Sequence, residues 1–446
     1  MTNKDRRIPG ASRSLKDREA YAQDFGRMDM RVPEAVVTPQ SAEEVAGIVR
    51  CAARDGIRLA VRGGGHSQGG QSLTDRGVVL DTRGLDRVQP AGPELVRAQG
   101  GAQWSQVLDA LRGTRRLPPV LVDIGEATVG GTLSAGGVGS TSHRYGAQVG
   151  QVEQLEVVTG AGERVRCSPV RNEGLFNAVR SGQGQFGIIT EAWIRLRAAG
   201  ERFRQHQLRY RDFDRFADDF EFVVEADRFD NLRAEIRYHE QEIILSAGFE
   251  YGGEPDDAEM LAGLQYDENT YTRDTTSVGH AVIYPKWAFS WLHYHPWRDW
   301  ILPWESLRTL LSQPLLDSHW VPPRPWSWTG LYGIGSEAID APLFMRPPGK
   351  RAICYSILAV LGEFQHEKAT ELVSKLEEID RTLVGLGGKS YLSGGVGYGP
   401  KEWAEHYGET LEQAIGWKRE FDPKQVFNPV GMPFGNSPEV SGRKAR

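Results

Sequence analysis

From Leu59 to Ser72 the chain reads Leu-Ala-Val-Arg-Gly-Gly-Gly-His-Ser-Gln-Gly-Gly-Gln-Ser, an apolar run broken by glycines around a histidine and a serine. Without Cβ atoms the backbone of such a stretch reaches φ > 0 and comes close to a bulky or anionic group. A strand that ends this way predicts a ligand cradle. Gly65-His66-Ser67-Gln68-Gly69 also fits the G-x-S-x-G nucleophile elbow, which needs a helix directly after the serine. Here Gly70, Thr74 and Gly77 follow instead, then the apolar Val78-Val79-Leu80, so a serine hydrolase is disfavoured. Gly182-Gln183-Gly184-Gln185-Phe186-Gly187 has dinucleotide-fold spacing, but that motif runs from strand into helix. Around it a helical pattern, Leu175 to Arg180, precedes and a strand-like pattern, Ile188 to Ile194, follows. The order is inverted, so this is not a Rossmann turn.

A chain of 446 residues is too long for one ordinary core and predicts two or three domains. Its 39% hydrophobic and 25% charged residues are those of a globular protein. A net charge of -6 carries no electrostatic footprint for nucleic acid. Cys51, Cys167 and Cys354 are too few and too scattered for a disulfide framework or a metal set. Met1 to Ala20 lacks an apolar secretory core and no run approaches a membrane span, so the expectation is a cytoplasmic protein without membrane partners.

In chain order, Glu34 to Thr38 reads as a strand and Ser41-Ala42-Glu43-Glu44 as a capping box opening a helix that closes near Gly56. Ile57 to Val61 and Val78 to Asp81 read as further strands, so a βαβ-like unit delivers the glycine stretch at a strand end. A short helix is expected from Gln103 to Leu111. Thr128 to Ser140 is a second glycine-rich block; its small residues suit a helix against a cofactor, but composition favours loop punctuation. Thr159-Gly160-Ala161-Gly162 between two apolar runs predicts a hairpin. Near residues 197–204 the composition turns aromatic and charged, and Trp287, Trp291, Trp297, Trp300, Trp304, Trp320, Trp326 and Trp328 follow. Most of these are expected in a core and a minority in a pocket. His293 and His295 would face opposite sides of a strand, which argues against a paired metal site.

With both glycine blocks and the segment Glu409 to Pro429 in view, the sequence resembles the flavin-linked oxidases of the vanillyl-alcohol oxidase superfamily, nearest the cytokinin dehydrogenase and berberine-bridge-type branches. The resemblance implies an α+β fold: a two-subdomain PCMH-type FAD-binding domain with an inserted α+β cap, an antiparallel sheet flanked by helices. The boundaries it suggests are a leader 1–29, an FAD domain 30–197, a substrate cap 198–395 and a return 396–446. His66 would carry FAD covalently on the benzenoid methyl. Gly63, Gly64, Gly65 and Ser67 would wrap the pyrophosphate, with Arg62, Gln71 and Ser72 beside them. Thr128, Gly131, Ser134, Val138, Ile189 and Tyr391 match further cofactor contacts. Glu126 stands where doubly tethered members carry cysteine, so a second link is not expected. Pro429-Val430-Gly431-Met432 departs from the Pro-Gly-Gln of cytokinin dehydrogenases, so that terminal glutamine contact is lost or replaced.

Asp123 lies five positions before Thr128, as the proton-accepting aspartate does in cytokinin dehydrogenases. A carboxylate suits that task in a partly closed pocket; the plainer reading is a loop aspartate capping a backbone N–H. The family's acid on the cap falls equally on Glu235, Glu240 or Glu250. The leading expectation is an FAD-dependent oxidoreductase that takes hydride from a C–H beside an amine or alcohol of a small, partly aromatic or apolar substrate. Molecular oxygen or another acceptor would reoxidise it, with no metal, and a role in secondary metabolism is compatible. The alternatives are a sugar or aldonolactone oxidase of the same superfamily, or a flavin-binding or partner-binding protein without turnover.

Overall fold

In a computed structural model the chain is described at residues 8–277, 293–312, 327–428 and 431–435. Trp287, Trp291, Trp320, Trp326, Pro429 and Val430 lie outside the described residues.

The glycine stretch hangs from a small parallel sheet whose parts have local causes. Strand β1 (Ala35–Val37) leads to helix α1 (Ala42–Asp55), then β2 (Arg58–Arg62) and β3 (Gly77–Asp81), paired in the order β1-β3-β2. Ser41 Oγ caps α1 by accepting the Glu44 N–H at 3.2 Å, and Gly56 ends it at φ 65°. The Glu44 carboxylate accepts from Gln40 N rather than Ser41 N, one residue earlier than a capping box requires. The apolar stripe of α1, Val45, Ile48, Val49 and Ala52, packs in one cluster with Leu59, Leu80, Val426 and Phe427.

A second sheet is antiparallel: β4 (Val88–Pro90), β5 (Leu95–Gln99), β6 (Val152–Val158), β7 (Arg164–Cys167) and β8 (Ile188–Arg195), ordered β4-β5-β8-β6-β7. The expected hairpin at Gly160-Ala161 joins β6 and β7. Helix α2 (Trp104–Ala110) opens on Gln103, whose N–H is taken by Gln106 Oε1 at 2.8 Å.

The second glycine block corrects its compositional reading. It is not loop throughout: Val129–Ala135 forms helix α3, with Thr128 Oγ1 accepting Gly131 N–H at 3.3 Å. Glycine disfavours helix by roughly 1 kcal/mol relative to alanine, and tertiary contacts override that here. Val129 and Leu133 are fully buried, Val129 N donates to Ala102 O and Gly130 N to Gly100 O at 2.7 Å. The N–H groups that a helix start leaves open are therefore spent on the neighbouring chain.

The third sheet is the largest, antiparallel and eight-stranded: β9 (Arg202–Tyr210), β10 (Asn231–Arg237), β11 (Glu242–Tyr251), β12 (Glu268–Thr276), β13 (Trp297–Pro303), β14 (Ser327–Gly335), β15 (Arg351–Ala359) and β16 (Lys389–Tyr391). Their order is β12-β9-β11-β10-β14-β15-β13-β16. Alternation along each strand divides its two faces. Trp300, Leu302, Leu331, Ile353, Tyr355 and Ile357 join the core made with helix α4 (Phe213–Glu225) and helix α5 (His366–Gly385). The intervening residues face the other way, toward the glycine stretch. Among the described residues no helix is long and apolar enough to cross a membrane, and no group of three potential metal ligands occurs.

Candidate active site

A large cavity, about 1580 Å³ with its open mouth included, lies between the glycine turn, α3 and the free face of the large sheet. After Arg62 the chain leaves β2 in turns with no helix following Ser67, which removes the elbow context for a nucleophilic serine. Gly65 has φ +77°, and a Cβ there would meet the Arg62 guanidinium at 2.6 Å. A Cβ on Gly63 would stand 2.1 Å from Thr128 Oγ1. The two glycine blocks thus touch through the Thr128 side chain packed on Gly63, forming a cradle that a Cβ at Gly63 or Gly65 would disrupt.

His66 lines this cavity beside the Phe25 ring, at 5.4 Å between centroids. Burial, helped by the charge of Arg62, pushes its imidazole down to about 4, so the ring is neutral at physiological pH. The turn is tied to the large sheet through Gln68. Its backbone N–H donates to Ser393 O at 3.1 Å, its Nε2 to His295 O at 2.6 Å, and its Oε1 accepts from Trp297 N. Beneath it, Asp24 accepts the Gly69 N–H at 3.2 Å, and burial raises that carboxyl to about 6. His295 stacks on Phe25 at 4.6 Å rather than lying in a strand with His293.

Other parts of the wall come from distant segments. Gln183, Gly184 and Gly187 of the inverted glycine motif line it, as does Ile189 at the start of β8. Asn428 closes this side: its Oδ1 accepts Val61 N–H at 2.8 Å, its Nδ2 donates to Gln183 O, and its N–H reaches Leu59 O. Tyr391 Oη accepts the Gly137 N–H at 2.7 Å, fixing the turn after α3. The floor is the period-two face of the sheet: Trp297 and Asp299 on β13, Trp328 and Tyr332 on β14, Cys354 and Ser356 on β15.

Asp123 stands on this wall. Its Oδ2 accepts a hydrogen bond from Tyr332 Oη and lies 3.6 Å from Arg233 Nη1, while its buried Oδ1 has no hydrogen-bond partner among the described residues. Among the described residues it caps no backbone N–H, contrary to the plainer reading of a loop aspartate. Asp299 is 4% exposed and accepts from Trp297 Nε1 at 2.7 Å, Ser393 Oγ at 2.6 Å and Ser356 Oγ; burial raises its pKa.

Of the residues singled out in sequence, Gly63, Gly64, Gly65, His66, Ser67, Gln71 and Ser72 border the cavity. So do Asp123, Thr128, Gly131, Ser134, Val138, Ile189 and Tyr391. Arg62 does not: its guanidinium turns behind the turn, donating to Gln23 O at 3.0 Å and lying over the Tyr21 ring. None of the three cap acids reaches the wall. Glu235 and Glu250 pair with Arg237 and Arg197, and Glu240 sits in the β10–β11 turn. Trp328 was among the tryptophans of which a minority was expected in a pocket, whereas Asp299, Tyr332 and Ser356 went unrecognised in sequence; alternation of polar and apolar residues in β13 and β15 is a signal for Asp299 and Ser356 only.

The family described as FAD binding domain matches residues 33–168. The chain is similar to an "Uncharacterized oxidoreductase ORF5 in fasciation locus" of Rhodococcoides fascians, at 32% identity over 91% of this chain and 94% of that protein. It is similar to cytokinin dehydrogenase 1 of Oryza sativa subsp. japonica, at 30% identity over 91% of this chain and 88% of that protein. Cytokinin dehydrogenase 9 of the same subspecies is 27% identical over 93% and 89% of the two chains.

Proposed function

Since the chain belongs to the FAD-dependent oxidoreductases of the cytokinin dehydrogenase-like family, we propose that it oxidises a C–H bond beside an amine nitrogen or alcohol oxygen, with Asp123 accepting the N–H or O–H proton. The observation that carries this reading is the Asp123 carboxylate, held at Oδ2 by Tyr332 with Oδ1 left over. FAD, when bound, supplies the hydride acceptor. The glycine turn and α3 fit it: a cradle that a Cβ at Gly63 or Gly65 would fill, continuous with a compartment floored by Trp297, Trp328 and Tyr332.

In this reading the residues divide the work. Gly63, Gly64, Gly65 and Ser67 surround the pyrophosphate, and Thr128, Ser134, Val138, Ile189 and Tyr391 border the rest of the cofactor. His66 tethers it, supported by an imidazole that burial keeps neutral and hence nucleophilic. One link is expected. Cys354 reaches the cavity, but burial beside Asp299 and Asp123 holds its thiol protonated, which disfavours a second bond. Tyr332 and Arg233 orient the Asp123 carboxylate toward a planar substrate laid on the sheet. Cytokinins, named in the relatives, are one candidate within that class.

Acid precipitation tests the tether. Flavin fluorescence should stay with the precipitated polypeptide, and His66→Ala should release it. Asp123→Asn should slow anaerobic flavin reduction at saturating substrate by about 10²–10⁴-fold with the flavin retained; an unchanged rate removes Asp123 as base.

A further inference from the structure

Asp299 is not explained by proton transfer to Asp123, and its surroundings are unusual for a buried carboxylate. Its three hydrogen-bond donors, Trp297 Nε1, Ser356 Oγ and Ser393 Oγ, are all neutral. Among the described residues no cation lies within ion-pair distance of it, whereas Asp123 has Arg233 at 3.6 Å. Its neighbour Arg298 is engaged elsewhere, toward Asp380 at 3.6 Å. Buried charges are ordinarily paired. Two carboxyl groups face this compartment against one guanidinium, and no lysine or arginine borders the cavity among the described residues.

Burial opposes ionisation of Asp299, and the hydrogen bonds from Ser356, Ser393 and Trp297 work against that shift. An indole N–H only donates, so Asp299 Oδ1 is an acceptor toward Trp297, and Ser356 Oγ adds a second bond to the same oxygen. Oδ2 has Ser393 alone, which leaves acceptor capacity on the cavity side of the sheet. Trp297, Trp328 and Tyr332 border the same space, and aromatic faces attract cations. Strand register holds the carboxylate rigidly, since Asp299 is paired across β13 with Ser356 on one side and Tyr391 on the other.

We propose that Asp299 is a specificity-determining residue that binds a cationic nitrogen group of the substrate, an ammonium or amidinium, separate from the nitrogen or oxygen served by Asp123. This rests on the reading of the cavity as a substrate compartment. It narrows the substrate class to planar or partly aromatic molecules with a second, basic nitrogen.

The test uses benzamidine, a planar cation, and benzamide, its neutral near-isostere, each titrated calorimetrically into the purified protein at neutral pH. Calorimetry does not depend on the flavin. Flavin content and anaerobic bleaching by amines are measured separately, so loss of the oxidoreductase reading and loss of this proposal give different results. The wild type should bind benzamidine at least about tenfold more tightly than benzamide. Asp299→Asn should abolish that preference, and Asp123→Asn should keep it. Ser393→Ala, which removes the one donor to Oδ2 and so disfavours the carboxylate, should lower it and serves where Asp299→Asn fails to fold. Equal binding of the two probes by the wild type overturns the proposal. So does a preference that survives Asp299→Asn, disappears in Asp123→Asn, or fails to fall in Ser393→Ala.

Discussion

Gly63→Ala probes the contact between the two glycine blocks directly. The backbone at Gly63 is not in the left-handed region, so alanine meets no φ penalty there. What it meets is Thr128: Oγ1 at 2.1 Å, Cβ at 3.3 Å and Cγ2 at 3.4 Å. The hydroxyl must leave, and it is the cap that accepts Gly131 N–H at the start of α3. Losing such a cap costs about 1 kcal/mol, and overpacking a close contact adds roughly 1–3 kcal/mol. Gly63→Ala should therefore destabilise by about 2–4 kcal/mol, a drop of roughly 2–4 °C in the melting temperature of a 446-residue chain that melts as one unit. Thr128→Ala alone should cost about 1 kcal/mol. In the double variant the atom at 2.1 Å is gone and Cβ at 3.3 Å yields by a few tenths of an ångström, so alanine at 63 becomes nearly neutral. The expected coupling is thus about 2–4 kcal/mol, read from calorimetric melts of the four proteins of the cycle. Strict additivity would refute the contact, and with it the picture of a cradle made by two blocks in touch.

Other outcomes follow from the same geometry. Because burial holds His66 near 4, its ring is about 97% neutral at pH 5.5, where an ordinary histidine would be about 10% neutral. Flavin attachment to apoprotein should therefore proceed at nearly equal rates at pH 5.5 and 7.5; a tenfold fall at the lower pH contradicts the burial argument. Lys418→Met should cost about 3–5 kcal/mol by urea unfolding, since Lys418 and Asp422 form a buried pair at 2.8 Å, and a loss below 1 kcal/mol would show the pair to be dispensable. Gln68→Ala removes the bonds to His295 O and Trp297 N and should lower stability by about 1–3 kcal/mol while raising amide exchange across residues 63–72; unchanged exchange would show that the turn holds itself.

What the sequence made legible was local chemistry. Ser41, Glu44 and Gly56 delimit α1 by capping alone, and the turn residues at 159–162 declare their hairpin. The cradle was legible too, because glycines in series have few other uses. The helix at 129–135 was not, since the bonds that sustain it run to Gly100 and Ala102 and have no trace in its own composition. Arg62 sits inside the motif yet faces Gln23, since residues on a strand alternate sides. The floor was hidden for a topological reason. Trp297, Tyr332 and Ser356 meet only because β14, β15 and β13 are neighbours in an order the chain does not follow. Asp123 gains its meaning from Tyr332, 209 positions later.

The clasp made by Asn428 sets a clock on biosynthesis. It completes a strand that emerged 367 residues earlier. At about 5–20 residues per second that interval is roughly 20–70 s. Throughout that time the glycine turn has left the ribosome while Val61 lacks its partner and the wall beside Gln183 stays open. A nascent chain of this protein therefore has His66 long before it has a closed cavity around it, and if His66 tethers FAD as proposed, attachment should follow translation rather than accompany it.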